Sequence, residues 1–161
     1  MDRLVNALSE WNIELSDLQI DQFNRYFELL IEWNEKINLT SITDKDEVID
    51  KHFIDSIALM YYKNISDKKI LDVGSGAGFP GIPLKIVCPE SNITLLDSLQ
   101  KRINFLDLVI NDLGLKKIKA VHYRSEDAGH DKYYREKFNI VTCRAVANLR
   151  TLSEYCLFSR R

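Results

Sequence analysis

The chain has 161 residues, about one domain, and 45% of them are hydrophobic, enough to fill one core. A net charge of −2 gives no global attraction to nucleic acid, so any RNA contact must come from local basic patches. No apolar run approaches the ~20 residues that span a bilayer, and the start is not a signal peptide. Three cysteines (Cys88, Cys143, Cys156) without metal-ligand spacing suit reduced thiols in a cytosol and no bound metal.

The first sixty residues read as helices, and residues 1–66 as a helical N-terminal cap beside a ligand site. Ser16-Asp17-Leu18-Gln19 has the form of a capping box, and Phe23, Phe27, Leu30 and Ile31 follow at helical spacing to an end near Trp33. Trp33 to Ile42 is rich in amides and hydroxyls and reads as a loop. Thr43-Asp44-Lys45-Asp46 can cap a further helix with the stripe Ile49, Phe53, Ile57 and Met60. Phe23, Phe27 and Trp33 are assigned to the core rather than to base stacking.

From Lys68 the period changes to strand–helix alternation, so residues 67–161 are expected to form an α/β domain with a parallel sheet. Predicted strands are Ile70–Val73, Ile93–Leu96, Ile118–His122 and Asn139–Cys143. Predicted helices are Gly81–Val87, Ser98–Leu113 ended by Gly114, and Leu149–Phe158.

The first strand runs into Asp72-Val73-Gly74-Ser75-Gly76-Ala77-Gly78-Phe79-Pro80-Gly81. Glycines at alternate positions bare the backbone to a ligand, and Pro80 and Pro83 suit a first helical turn. Strand, glycine turn and helix N-terminus together make a nucleotide-type site at the carboxyl end of a parallel strand. Gly76 to Gly81 matches G-x-G-x-x-G, a weak pattern on its own, and Pro80 removes an amide that a pyrophosphate would need. Asp97 ends the second strand about 20 residues beyond the glycines, where a carboxylate can accept both ribose hydroxyls of a nucleoside cofactor. The competing assignment for Asp97 is an acid favoured by a helix dipole.

The pattern Asp72-x-Gly74-x-Gly76-x-Gly78 resembles motif I of the class I S-adenosylmethionine (AdoMet) methyltransferases, in which the strand-end acid faces the cofactor's polar end. Further blocks follow one another in order: Trp33-Asn34, Asn38-Leu39-Thr40, Lys51-His52, Asp55-Ser56, Leu96-Asp97-Ser98, Lys101-Arg102, Phe105-Leu106 and Arg144-Ala145-Val146-Ala147. With motif I they resemble the ribosomal RNA small subunit methyltransferase G family, also called glucose-inhibited division protein B. That resemblance implies a Rossmann-like fold and a bacterial, cytoplasmic enzyme, monomeric when full length. It implies AdoMet-dependent methylation of guanine N7 in 16S ribosomal RNA.

Carried over by residue, the resemblance puts AdoMet on Gly74, Gly76, Gly78, Phe79, Asp97, Ser98, Leu99, Ser125, Glu126 and Arg144. Ser125 stands where the family often has alanine. The Arg144 fork suits either the methionine carboxylate or an RNA phosphate, and both assignments stay open. Lys101 and Arg102, at the start of a helix beside the turn, are the candidates for RNA phosphate. His52 is a candidate for shaping the substrate site, set against a capped or partly buried histidine. Guanine N7 carries a lone pair and no proton, so displacement at the sulfonium methyl requires no general base.

Other assignments compete with these. A dinucleotide-dependent oxidoreductase would require a pyrophosphate turn without Pro80. Cys143 could be the nucleophile of a cytosine-C5 methyltransferase, but Thr142 stands where those enzymes have proline, and a buried cysteine is the common outcome. The seven-stranded class I sheet has order 3-2-1-4-5-7-6, and this chain supplies four strands, 3-2-1-4. The fourth would then be an exposed edge. A truncated or frameshifted product is therefore expected, and a non-catalytic form that still holds AdoMet or RNA is the alternative to an enzyme.

Overall fold

A computed structural model of the chain describes residues 1–124, 134 and 136–144. The helix expected at Leu149–Phe158 lies outside the described residues, as do Ser125, Glu126, His130 and Cys156.

Four strands, β1 (Lys69–Val73), β2 (Asn92–Asp97), β3 (Ile118–His122) and β4 (Ile140–Cys143), form one parallel sheet in the order β3-β2-β1-β4. This is the α/β fold and strand order anticipated above. All of β1 except Lys69 is buried, as a parallel strand flanked by two others requires. Among the described residues β4 stands at an edge of the sheet.

Helix α5 (Gly81–Val87) has the predicted bounds. Helix α6 (Gln100–Asp112) begins two residues later than Ser98, because the Asp97 carboxylate first folds back onto the Leu99 N–H at 2.9 Å. It ends as expected, with Gly114 at φ 64°. There Leu115 N–H donates to the Ile110 carbonyl and Gly114 N–H to Asn111, a Schellman closure.

The prefix holds α1 (Asp2–Ser9), α2 (Asp17–Ile37), α3 (Lys45–Val48), a π-helical turn (Ile49–Ile54) and α4 (Asp55–Tyr62). The Ser16–Gln19 capping box is present in full. Helix α2 does not stop near Trp33 but continues to Ile37. Lys36 pairs with Glu32 one turn back, and the helix ends only where Asn38 takes a left-handed conformation at φ 50°. The stretch read as a loop from Trp33 is thus helical to Ile37, and the connection to α3 is short. The stripe Ile49, Phe53 and Ile57 is buried as its spacing implied, with Met60 partly covered.

These helices share one core with the sheet: Leu4, Leu8, Phe23 and Tyr26 belong to the same cluster as Ile70, Leu95 and Phe105. Phe27 and Trp33 pack against it, in line with their assignment. Helix α2 also closes the far ends of its neighbours. Gln19 Nε2 donates to the Ile86 carbonyl at 2.7 Å, Gln22 Nε2 to Leu113 at 2.9 Å, and Arg25 pairs with Asp112. The two glutamine contacts satisfy carbonyls that helix ends leave without partners. No helix among the described residues is long and apolar enough to cross a membrane.

Tyr26 joins α2 to the glycine turn. It is fully buried, and its hydroxyl donates to the Ala77 carbonyl at 2.6 Å. Tyr26→Phe keeps the ring and strands that carbonyl, so it should destabilise the fold by about 1–3 kcal/mol. Urea unfolding at fixed pH checks this; an unchanged midpoint would show that water replaces the hydroxyl.

Candidate functional site

Strand register sets the site. Val73 pairs with Leu96 on one side and Cys143 on the other, so the next residues, Gly74, Asp97 and Arg144, leave the sheet along the same carboxyl edge. A cavity of about 280 Å³ opens there. Of the residues singled out in the sequence, Gly74, Gly76, Phe79, His52, Arg102 and Arg144 line it. Gly78, Asp97, Ser98, Leu99 and Lys101 are not in its wall. Thr40 and Ser41 line it too, supplied by the hydroxyl-rich connection before α3, whose composition was the available signal. A larger hollow of about 570 Å³ lies at the amino ends of the strands, among Lys69, Lys117, Lys119 and Lys137. It is at the wrong end of a parallel sheet for a ligand of this fold.

The glycine turn directs its donors inward. Ser75 N–H donates to the Leu96 carbonyl, Gly78 and Phe79 N–H both to the Ser75 carbonyl, and Ile82 N–H to Gly78. Gly76 N–H donates to Asp97 Oδ2 at 2.9 Å and Gly81 N–H to Asp72 Oδ2 at 3.2 Å. Pro80 has none to give. The amides of Ser75, Gly76, Gly78, Phe79 and Gly81 are therefore already used, and the surface at Gly76 is bare backbone. Its φ is 58°, and the nearest atom to an added Cβ would be 3.9 Å away. Gly78 is held to glycine by packing instead, since a Cβ there would lie 2.5 Å from Ile82 Cδ1 and 2.9 Å from the Tyr26 hydroxyl.

Asp72 does not face the cavity as the motif suggested. It is fully buried, and its carboxyl accepts from Gly81 N–H and, at 3.2 Å, from the Thr142 hydroxyl, tying β1 to the start of α5 and to β4. Burial pushes it up to about 6, only partly opposed by these donors. Asp97 is 3% exposed and holds Gly76 N–H on one oxygen and Leu99 N–H on the other, with Arg102 Nη1 at 3.4 Å. Oδ2 already meets two donors, so the acceptor capacity that remains is on Oδ1.

Two guanidiniums face the cavity. Arg102 pairs with Asp97, and among the described residues its buried Nε has no hydrogen-bond partner. Arg144 is tightly held: Nη1 donates to Asp55 Oδ2 at 2.8 Å and the Lys51 carbonyl at 3.2 Å, and Nη2 lies 2.7 Å from His52 Nδ1. The guanidinium also sits over the Phe79 ring, 5.2 Å from its centre, while His52 stacks on the same ring at 4.6 Å. Asp55 stood in the sequence only in the block Asp55-Ser56, with no role at the site assigned to it. Burial, with Arg144 alongside, lowers the imidazole from its usual range. Cys143 lies half-buried on β4, and its side chain is not among those lining the cavity. The cavity thus combines bare backbone, two cations and an aromatic ring, a fit for a ligand with a carboxylate and no phosphates.

A parallel sheet in this order, a glycine turn after its central strand and an acid ending the next define a Rossmann-like domain of the class I methyltransferase type. Solved structures agree on the fold. A SAM-dependent methyltransferase from Aquifex aeolicus matches 66% of this chain and 54% of its own, with a TM-score of 0.52 and 19% identity. A putative S-adenosyl-L-methionine-dependent methyltransferase from Methanococcus maripaludis matches 83% and 56%, with a TM-score of 0.54 and 16% identity. A branched-chain polyamine synthase from Thermus thermophilus, in complex with 5′-methylthioadenosine, reaches 0.59 at 15% identity over 84% of this chain and 40% of its own.

Sequence narrows the class to a family. The family model for rRNA small subunit methyltransferase G matches residues 19–160, and the chain belongs to that family. A relative named ribosomal RNA small subunit methyltransferase G from Lactococcus lactis subsp. cremoris (strain SK11) is 56% identical over 158 residues, 97% of this chain and 66% of its own. One of the same name from Streptococcus sanguinis (strain SK36) is 56% identical over 149 residues, 91% of this chain and 63% of its own. The chain therefore spans about two thirds of the length of these relatives.

The buried Asp72 gives the fold a pH dependence. Its carboxyl is raised in the folded state, so the contribution is full below pH 4 and lost as pH rises through about 6. Relative to Asp72→Asn, the parent chain should lose about 2 kcal/mol of unfolding free energy between pH 4 and pH 7. Denaturant titrations of both chains across that range measure it; parallel curves would show that Asp72 titrates normally.

Proposed function

We infer that this chain forms the AdoMet-holding part of an enzyme that methylates guanine N7 in 16S ribosomal RNA of the small subunit, in the cytoplasm. The observation that carries this is the inward use of the turn's amides beside a cavity with two arginines. Five of the turn's amides are engaged within the protein and Pro80 has none, which disfavours the dinucleotide alternative. A nucleoside bearing an amino-acid tail finds bare backbone and a guanidinium. Membership of the family supports the RNA substrate.

Bound there, AdoMet would supply an electrophilic methyl group on a sulfonium. Gly74 and Gly76 let it approach the backbone, and Phe79 walls one side. Arg144 receives the tail carboxylate through the edge of its fork that its protein partners leave free. The remaining acceptor site on Asp97 Oδ1 takes a ribose hydroxyl, with Ser98 and Leu99 leading into α6. Arg102 and Lys101, on the first turn of α6, meet RNA phosphates, and His52 lies between the two ligands. Guanine N7 needs no deprotonation, so these residues act by placing the base in line rather than by moving a proton.

Calorimetric titration with AdoMet and with NAD tests the cofactor. Micromolar binding of AdoMet and none of NAD is expected, and the reverse order removes the reading. Asp97→Ala should weaken AdoMet about 10- to 100-fold, by loss of hydrogen bonds to a charged acceptor; unchanged affinity would take the ribose role away. Transfer of labelled methyl to 30S particles, mapped by mass to a guanine, tests the substrate, and an unmodified particle with AdoMet bound identifies a holding module instead.

A further inference from the structure

Three acceptors on one short segment converge on a single guanidinium. The Lys51 carbonyl, His52 Nδ1 and Asp55 Oδ2 come from the π-helical turn and the first residue of α4, and all three meet Arg144 at the end of β4. A guanidinium has five N–H donors. Nη1 uses its pair on Lys51 and Asp55, and Nη2 uses one on His52. The Nε–Nη2 edge is left without a partner among the described residues, and Arg144 lines the cavity. One side of the fork is thus bolted to the helical prefix while the other stays available.

The bracket works in one protonation state of His52. Nδ1 lies 2.7 Å from Arg144 Nη2 and 3.1 Å from the Lys51 carbonyl; to accept from the nearer guanidinium it must carry a lone pair, which puts the ring proton on Nε2. Nε2 lies 2.9 Å from the Thr40 hydroxyl, which also accepts from Ile42 N–H, so it has a natural acceptor for that proton. An imidazolium would set N–H against N–H at Nδ1 and place two cations side by side. We propose that neutral His52 is a positioning residue for the cofactor: with Asp55 and the Lys51 carbonyl it brackets Arg144 so that the free edge of the fork meets the cofactor's carboxylate, and protonation of His52 opens the bracket. This rests on the AdoMet reading given above and adds to it a pH gate.

The groups facing His52 support that gate. Arg144 approaches from β4, Lys51 and Asp55 flank it on its own helix, and Arg102 shares the cavity from α6. The glycine turn contributes the neutral Phe79, and the connection before α3 contributes the neutral Thr40 and Ser41. The Lys51 carbonyl, 3.1 Å from Nδ1, and Asp55 favour the cation, but Arg144 also donates to that carbonyl and is paired with that carboxylate. Burial and Arg144 work against it, so the ring is held neutral below its ordinary range.

Two substitutions separate positioning from packing. His52→Asn gives up stacking on Phe79 but retains a side-chain oxygen that can accept from Arg144. His52→Phe retains the stacking and removes the acceptor. Calorimetry with AdoMet from pH 7.5 to pH 5.0, on variants whose cooperative melting shows them folded, should give a parent affinity that drops about tenfold toward pH 5. His52→Asn should hold an affinity nearly independent of pH, and His52→Phe should be about tenfold weaker already at pH 7.5. His52→Phe binding like the parent, or His52→Asn keeping the parent's pH dependence, overturns the proposal. A parent that binds no AdoMet at pH 7.5 counts against the cofactor reading, a distinct result. The bracket itself is then still tested by nitrogen NMR of the ligand-free chain, which should show Nδ1 of His52 unprotonated at neutral pH; a proton on Nδ1 overturns it.

Discussion

The site is organised by where the backbone amides after β1 point. Two carboxylates and neighbouring carbonyls take them: Asp97 holds Gly76, Asp72 holds Gly81, the Ser75 carbonyl holds Gly78 and Phe79, and the Leu96 carbonyl holds Ser75. A glycine-rich turn before a helix is usually an anion cradle because its N–H groups are unpaired and converge. Here those of Ser75, Gly76, Gly78, Phe79 and Gly81 are paired, and a proline precedes the helix. What the turn presents to the cavity is therefore shape rather than charge, and attraction for an anion passes to the two arginines.

That arrangement makes the helical prefix part of the site. Tyr26 anchors the turn from behind through Ala77, and Gly78 must lack a side chain because Tyr26 and Ile82 fill the space beside it. From the front, the π-helical turn supplies the acceptors that hold Arg144. A π turn adds a residue to the local register and re-aims side chains and carbonyls, which is why such turns occur at functional positions. Phe79 links the two supports, in contact with Tyr26 and Phe53 on one side and with His52 and Arg144 on the other. Aromatic packing of this kind resists shear, so Arg144 and the turn are held in one rigid frame.

The sheet was legible because parallel strands write themselves as short apolar runs ended by acids or glycines, and β3 and α5 fell within their predicted bounds. Capping chemistry was legible for the same local reason, at Ser16–Gln19 and at Gly114. What the sequence concealed depends on contacts distant along the chain. Trp33 to Ile37 looked like loop by composition, yet an ion pair and a left-handed Asn38 carry the helix through it. Asp72 looked like a ligand by motif, yet Thr142, far along the chain, claims its second oxygen. Arg144 was read as a choice between two anions, with no sign that Asp55 and His52 already bind it. The π turn is invisible to a spacing rule, because the stripe Ile49, Phe53, Ile57 reads the same with or without it.

The engagement of Arg144 bears on how a cation can serve a cofactor that is itself positively charged. A loose arginine in a cavity of about 280 Å³ would repel a sulfonium wherever it wandered. Fixed by Asp55, whose carboxylate offsets its charge, the guanidinium becomes a directional pair of donors rather than a roaming point charge. Specificity then comes from geometry: a carboxylate reaches the fork only if the rest of the ligand lies along the bare backbone at Gly74 and Gly76. For a reaction whose nucleophile has no proton to lose, such placement is the part of catalysis that the protein supplies.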